Sequence, residues 1–289
     1  MPGSAWDPLQ YERFREQRAQ PYRDLASLVE PAESMRVADL GCGTGELTAW
    51  LHAALDARET TGIDSSETML AEAAPRRHEA LLFQRADIRT WTPAAPPDLI
   101  FSNAALQWVE HHEELWPRLA GLLAAGGQIA AQMPVSDDHP SHTVARELAG
   151  EPPYRDRMAG YERPFPVLPP ERYAEMLFTL GFERRLVRLQ VYEHLLPSVD
   201  SVVSWMEGSL LTPFRERLAG PLYERLLGEY ARRLRAHGPD SRPYLFPFKR
   251  LFVWGRLPTG RVAASAATRR QARPMRRAAS PSSRSGSVE

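Results

Sequence analysis

The run Val37-Ala38-Asp39-Leu40-Gly41-Cys42-Gly43-Thr44-Gly45-Glu46 constrains this chain more than any other. Val37, Ala38 and Leu40 suit a short strand covered on both faces. Gly41, Gly43 and Gly45 then let the backbone turn sharply and approach a ligand, because no Cβ stands in the way. Leu47, Trp50, Leu51 and Leu55 follow at helical spacing. A ligand of nucleotide type fits where such a strand becomes a helix. The spacing is Gly-x-Gly-x-Gly, not the Gly-x-Gly-x-x-Gly of pyrophosphate binders, and no Lys-Ser or Lys-Thr follows to make a phosphate loop. Taken alone, the run reads either as a ligand cradle or as a tight strand-to-helix turn.

The surrounding pattern favours the cradle. Apolar strands are expected at about 35–40, 59–64, 81–86, 99–102 and 128–133, with helices at about 66–74 and 112–123 between them. Two further strands are expected at 183–195 and 245–257. The alternation predicts a Rossmann-like, doubly wound α/β fold with a mostly parallel, seven-stranded sheet. Residues 31–257 form the expected domain. Within it, the proline-rich stretch 134–170 and the helical stretch 198–240 are expected to cap the active face. Residues 1–30 mix large aromatics with arginines and read either as a lid that presents cations to a ligand or as a flanking amphipathic helix. Residues 258–289 are Ala, Ser, Arg and Pro without periodicity, as in a disordered basic tail.

Charge is divided along the chain. The tail holds seven arginines against Glu289, a net of +6, so a formal total of zero leaves −6 on the rest. An acidic body argues against nucleic acid as the main partner. Cys42 is the single cysteine, which excludes an internal disulfide and a cysteine-based zinc cluster. No apolar run reaches membrane-spanning length and no signal-peptide pattern opens the chain, so a cytoplasmic protein is expected.

Polar residues recur where a doubly wound sheet contacts its ligand, at the carboxyl ends of successive strands. Asp39 and Gly41 end the first strand. Asp64 ends the second, about 20 residues past the glycine turn, where an acid can take both ribose hydroxyls. Asp87 ends the third, where a carboxylate can accept from an adenine amine, and Asn103 ends the fourth.

This arrangement resembles the class I S-adenosylmethionine-dependent methyltransferases across about residues 30–257. The resemblance implies S-adenosyl-L-methionine as cofactor, with Asp39, Gly41 and Gly43 around its methionine part and Asp64 on its ribose. It also implies Ser65 and Met69 near the adenine, Asp87 and Ile88 at the adenine edge, and Asn103, Ala104 and Leu106 along the methionine and sulfonium. Cys42 is expected as a small residue of the turn, not a nucleophile, because no base is placed beside it. Within that class, Asp7-Pro8-x-x-Tyr11-x-x-Phe14, Asn103-Ala104-Ala105-Leu106-Gln107-Trp108, Gln132-Met133-Pro134 and Pro247-Phe248-Lys249-Arg250-Leu251-Phe252 are similar to the trans-aconitate methyltransferase family. The proline-rich cap and the basic tail depart from that family's pattern.

A small carboxylic acid is chemically apt as the acceptor. Its carboxylate is already ionised at neutral pH and needs no general base. No catalytic acid, base or metal ligand is therefore expected, only positioning. A polycarboxylate needs a permanently charged bidentate clamp, which arginine supplies. The substrate candidates are Tyr11, Arg18, Gln107, Trp108 and Arg250, while His111 and His112 read as helix-start residues. A free carboxyl of an acyl thioester, a hydroxyl acceptor and a non-catalytic cofactor sensor are the competing readings.

Overall fold

The computed structural model describes residues 15–161, 165–218, 220–238 and 241–260; within the first helix, side chains are described from Ala19 onward. The strands are β1 (Arg36–Leu40), β2 (Glu59–Asp64), β3 (Leu81–Arg85), β4 (Leu99–Asn103), β5 (Gln128–Pro134), β6 (Arg184–Leu196) and β7 (Tyr244–Arg256). They form one seven-stranded sheet in the order β3-β2-β1-β4-β5-β7-β6. β1 to β5 pair in parallel, whereas β7 is antiparallel to both β5 and β6. The strand order reverses beside β1, so the glycine turn stands at the switch point where such sheets bind ligands.

One face of the sheet is covered by α1 (Arg15–Ala26) and α2 (Glu46–Ala54). Tyr22, Leu25, Leu51 and Leu55 pack there with Val37, Phe101, Ala130, Phe252 and Trp254. The segment expected as a lid thus contributes a packed wall over its described residues. Between β2 and β3 lies the short α3 (Glu67–Ala73). The other sheet face carries α4 (His112–Leu122), whose Leu115, Trp116 and Leu119 pack with Ile100, Ile129 and Leu251.

The cap is more helical than its prolines suggest. α5 (Pro140–Ala149) begins on Pro140, where the missing N–H costs nothing. A single turn, α6 (Arg155–Met158), follows. α7 (Pro170–Thr179) then returns to the α4 face through Tyr173 and Leu177. α8 (Val199–Glu207) opens the stretch 198–240 that was expected to be helical. The rest of the helical stretch holds α9 (Thr212–Leu218), not foreseen from the sequence, and α10 (Pro221–Ala236). Gly220 at φ 63° turns the chain before Pro221 opens the second.

These helices bury their apolar faces against Phe246, Phe248 and Leu196. That end of β7, residues 244–248, runs past the register with β5 and pairs with β6 alone. The β6–β7 ladder is thus an arm on which the cap sits. Arg250 stands where the arm leaves the main sheet, opposite Pro134 of β5 and Gln190 of β6.

Candidate active site

The glycine turn is fastened from below. Gly41 and Cys42 donate their N–H groups to the Ile63 carbonyl at 2.7 and 3.0 Å. Gly41 has φ 79°, and a Cβ there would lie 2.2 Å from the Ala105 Cβ, so only glycine fits. Gly43 has φ 55° and nothing within 4 Å of an added Cβ. The turn is therefore tight beneath Gly41 and open above Gly43.

Asp64 closes it from the side. One of its carboxylate oxygens accepts from the Gly43 N–H at 2.9 Å, the other from the Ser66 N–H at 2.8 Å. Ser66 in turn caps α3 by accepting from the Met69 N–H at 3.3 Å. Asp39 lies underneath, 1% exposed. Its Oδ2 accepts from the Tyr22 hydroxyl of α1 at 2.9 Å and from the Thr48 hydroxyl of α2 at 2.6 Å. Burial pushes its carboxyl up to about 6, against the two hydroxyl donors that favour the charged form. Burial and the Asp39 and Asp64 carboxylates push the Cys42 thiol well up, which suits a small inert residue of the turn.

Further along the sheet, side chains two residues apart on a strand share a face. Asp39, Asn103, Gln132 and Arg250 therefore lie on the α1 face with Val37, Phe101, Ala130 and Phe252. Asn103 is register partner to Gln132, and Arg250 Nη1 donates to Gln132 Oε1 at 3.2 Å. Asn103 Oδ1, Gln107 Oε1 and Gln132 Nε2 are buried and find no partner among the described residues. Arg250 is 4% exposed and stands 5.8 Å from the Tyr192 ring and 5.2 Å from the Phe248 ring. A buried guanidinium beside unpaired amides makes a polar floor suited to an anion. An open pocket of about 510 Å³ lined by Val135, Leu189 and Lys249 belongs to the opposite sheet face.

The matches to known proteins cover both the turn and this floor. A family model of the methyltransferase domain matches residues 37–127. Over 258 residues the chain is 40% identical to the trans-aconitate 2-methyltransferase of Streptomyces avermitilis, an alignment spanning 86% of this chain and 96% of that one. The chain belongs to the trans-aconitate 2-methyltransferase family. The family's proteins from Acidovorax ebreus and Escherichia coli are each 38% identical over 255 residues, covering 86% and 88% of this chain and 96% and 98% of theirs. The fold is shared with YcgJ of Bacillus subtilis (TM-score 0.56, 15% identity, 83% of this chain and 99% of that one). A solved structure from Bacillus halodurans shares the fold at a TM-score of 0.52 with 14% identity, over 83% of this chain and all of that one.

Against the positions that the resemblance to this family implied, the structure brings most of the cofactor set together. Asp39, Gly41, Cys42, Gly43, Asp64, Ser65 and Met69 gather around the β1 turn and the β2 end. Asn103, Ala104 and Leu106 occupy the β4 end and the single turn after it. Asp87 and Ile88 follow β3, where the Asp87 carboxylate pairs with the Arg89 guanidinium, the bond that holds its pKa below the usual range. Gln107 donates to the Ala104 carbonyl at 2.7 Å, and Trp108, beside it, is partly exposed. His112 begins α4 as expected but is buried, its ring nitrogens held by the Tyr173 hydroxyl at 2.5 Å and the Leu106 carbonyl at 3.0 Å. Tyr11 lies outside the described residues. Arg18 falls on α1, with its side chain outside them.

Residues not singled out from the sequence complete the site. Thr48 shares Asp39 with Tyr22, and Gln132, register partner of Asn103, accepts from Arg250. On the arm, Tyr192 donates to Asp24 of α1 at 2.5 Å and stacks on His194. Among the described residues, no helix is long and apolar enough to cross a membrane.

Proposed function

We propose that this chain transfers the methyl group of S-adenosyl-L-methionine to a carboxylate of trans-aconitate, giving the methyl ester and S-adenosylhomocysteine. Family membership across nearly the whole length of the relatives supports the reaction. The single observation in the structure that carries the substrate class is the buried Arg250, facing the same side of the sheet as the glycine turn.

The residues present fit the cofactor. Open space above Gly43 leaves room for a ligand against the backbone, and the buried Asn103 Oδ1 calls for a donor such as an ammonium. Asp39, Gly41, Cys42 and Gly43 hold the amino-acid part, with Asn103, Ala104 and Leu106 alongside it. Each Asp64 oxygen uses one lone pair on the turn and keeps another for a ribose hydroxyl. Ser65, Met69, Asp87 and Ile88 take the adenine end. When bound, the cofactor supplies an electrophilic methyl on a sulfonium.

Arg250, Gln107, Trp108, Arg18 and Tyr11 then hold the acid so that one ionised carboxylate faces that methyl. The attacking oxygen carries no proton, so no side chain has to remove one. This suits a site where His112, after the β4 end, has both ring nitrogens committed to the scaffold. Alignment and exclusion of water by the aromatic wall of Tyr192, Phe248 and Phe252 supply the rate.

The test is methyl transfer from labelled S-adenosylmethionine to a panel of trans-aconitate, cis-aconitate, citrate, isocitrate and a malonyl thioester. Selective labelling of trans-aconitate is the expected result. Cofactor binding with no acid labelled would overturn the acceptor.

A further inference from the structure

His194 is the buried group that the methyl-transfer scheme leaves unused. It lies on the arm strand β6, opposite Phe246, and is 8% exposed. Its imidazole is walled by rings: Tyr192 stacks on it at 6.1 Å and 16°, Trp205 lies 5.1 Å away, and Phe246 lies 6.4 Å away. The Tyr192 hydroxyl is engaged with Asp24, and His194 Nε2 finds no partner among the described residues. A buried polar atom without a partner costs stability. Phenylalanine would fill the same ring stack without that cost.

The orphaned nitrogen has a neighbour that explains what it is for. Tyr192 lies between His194 and Arg250 on the sheet face, with the guanidinium 5.8 Å from its ring. Burial first, and then the charge of Arg250, push the His194 pKa down to about 4, so the ring is neutral at physiological pH. A neutral imidazole carries one N–H and can present it at Nε2. His194 and the guanidinium flank the Tyr192 ring, and the group to which an imidazole N–H and a guanidinium can both donate is a carboxylate. Gln132 Nε2, fully buried on the same face, is a further unused donor whose amide oxygen is already tied to Arg250.

We propose that His194 determines specificity for the acid, donating from Nε2 to a carboxylate that Arg250 neutralises and that Gln132 helps to hold. This rests on the reading of the chain as a carboxyl methyltransferase. β4, which ends at Asn103, and β7, which carries Arg250, are separated by two inter-strand steps, roughly 10 Å. An acid that reaches both the methyl and this pocket must carry a second carboxylate away from the first, as a polycarboxylate does.

The experiment compares wild type with H194F, which keeps the ring stack but not the donor, and H194Q, which keeps an N–H. Trans-aconitate affinity is measured by calorimetry with S-adenosylhomocysteine present, alongside KM, kcat and Tm. H194F is expected to raise the Kd and KM for trans-aconitate about tenfold or more, the effect of a lost hydrogen bond to a charged group. The KM for the cofactor should stay within about twofold, and Tm should equal or exceed that of wild type because the unpaired atom is gone. H194Q should recover part of the affinity. Unchanged trans-aconitate affinity in H194F overturns the proposal, as does a fall in Tm with equal losses for acid and cofactor. If wild type methylates trans-aconitate while H194F and H194Q both match it, only the role of His194 falls. If wild type neither binds nor methylates that acid, the underlying reading falls with it.

Discussion

The Tyr22 hydroxyl donates to Asp39 Oδ2 at 2.9 Å, joining the first described helix to the carboxylate beneath the glycine turn. Both partners are buried, so the bond is sheltered from solvent. Y22F should lower stability by about 1–3 kcal/mol, because a buried carboxylate loses one of its donors. It should also weaken cofactor binding. Chemical denaturation and calorimetry with S-adenosylhomocysteine check the two effects separately.

Asp39 itself gives a pH test. Its folded pKa of about 6 lies above the ordinary 3.8, so between those values the folded state holds the extra proton. That contribution to stability is full below about pH 4 and is lost as pH rises through 6, a difference of up to about 3 kcal/mol. D39N keeps an oxygen acceptor for Tyr22 and Thr48 but has no charge to bury. The Tm of D39N should therefore exceed that of wild type at pH 8 and converge with it at pH 4, while its cofactor affinity falls. Parallel Tm curves across that range would remove the strained carboxylate from the account.

Gly41 and Gly43 should fail in different ways. G41A forces a Cβ to 2.2 Å from the Ala105 Cβ in a left-handed backbone, so loss of folding is the expected outcome. G43A meets open space, leaving only the conformational cost of about 1 kcal/mol. The G43A protein should fold and yet lose cofactor affinity by an order of magnitude or more, because the methyl occupies the ligand's side of the turn. Circular dichroism and ligand titration distinguish the two.

Removing the Asp64 side chain should hurt binding more than folding. D64A loses the acceptor for the Gly43 and Ser66 N–H groups and the carboxylate proposed for the ribose. A fall in cofactor affinity of about a hundredfold is expected for a charged, bidentate contact. Near-unchanged affinity would show that the ribose is held elsewhere.

For Arg250, the informative quantity is the ratio of two Michaelis constants. R250L should raise the KM for trans-aconitate by about a hundredfold or more while leaving that for the cofactor within a few-fold. Equal changes in both, or none, would remove Arg250 from the acid clamp.

The cofactor half was legible because its signals are local. Glycines set the turn, apolar runs set the strands, and Asp64 and Asn103 follow from strand ends. The acceptor half was less so. His194 sits in the alternating part of β6, where a polar residue reads as the solvent side, and Gln132 lies in β5, a strand buried on both faces. Both are buried under α1 and the cap helices; the Gln132-Met133-Pro134 segment stands out only as a family likeness, and no neighbouring residue marks His194. Arg250 stood out by its flanking aromatics, Phe248 and Phe252. Helix α5 was hidden because prolines read as interruption, while Pro140 in fact opens a helix.

The bond from Tyr192 to Asp24 closes a loop of 168 residues. On a ribosome, the strands that bear the glycine turn emerge long before β6, so the wall made by α1 has no anchor on the arm until nearly two thirds of the chain has been synthesised. The glycine turn can be assembled early, but the enclosure for the acid is among the last parts to form. A nascent or C-terminally shortened chain that lacks β7 would therefore leave the β5 edge, Gln128–Pro134, unpaired as a surface for chaperones.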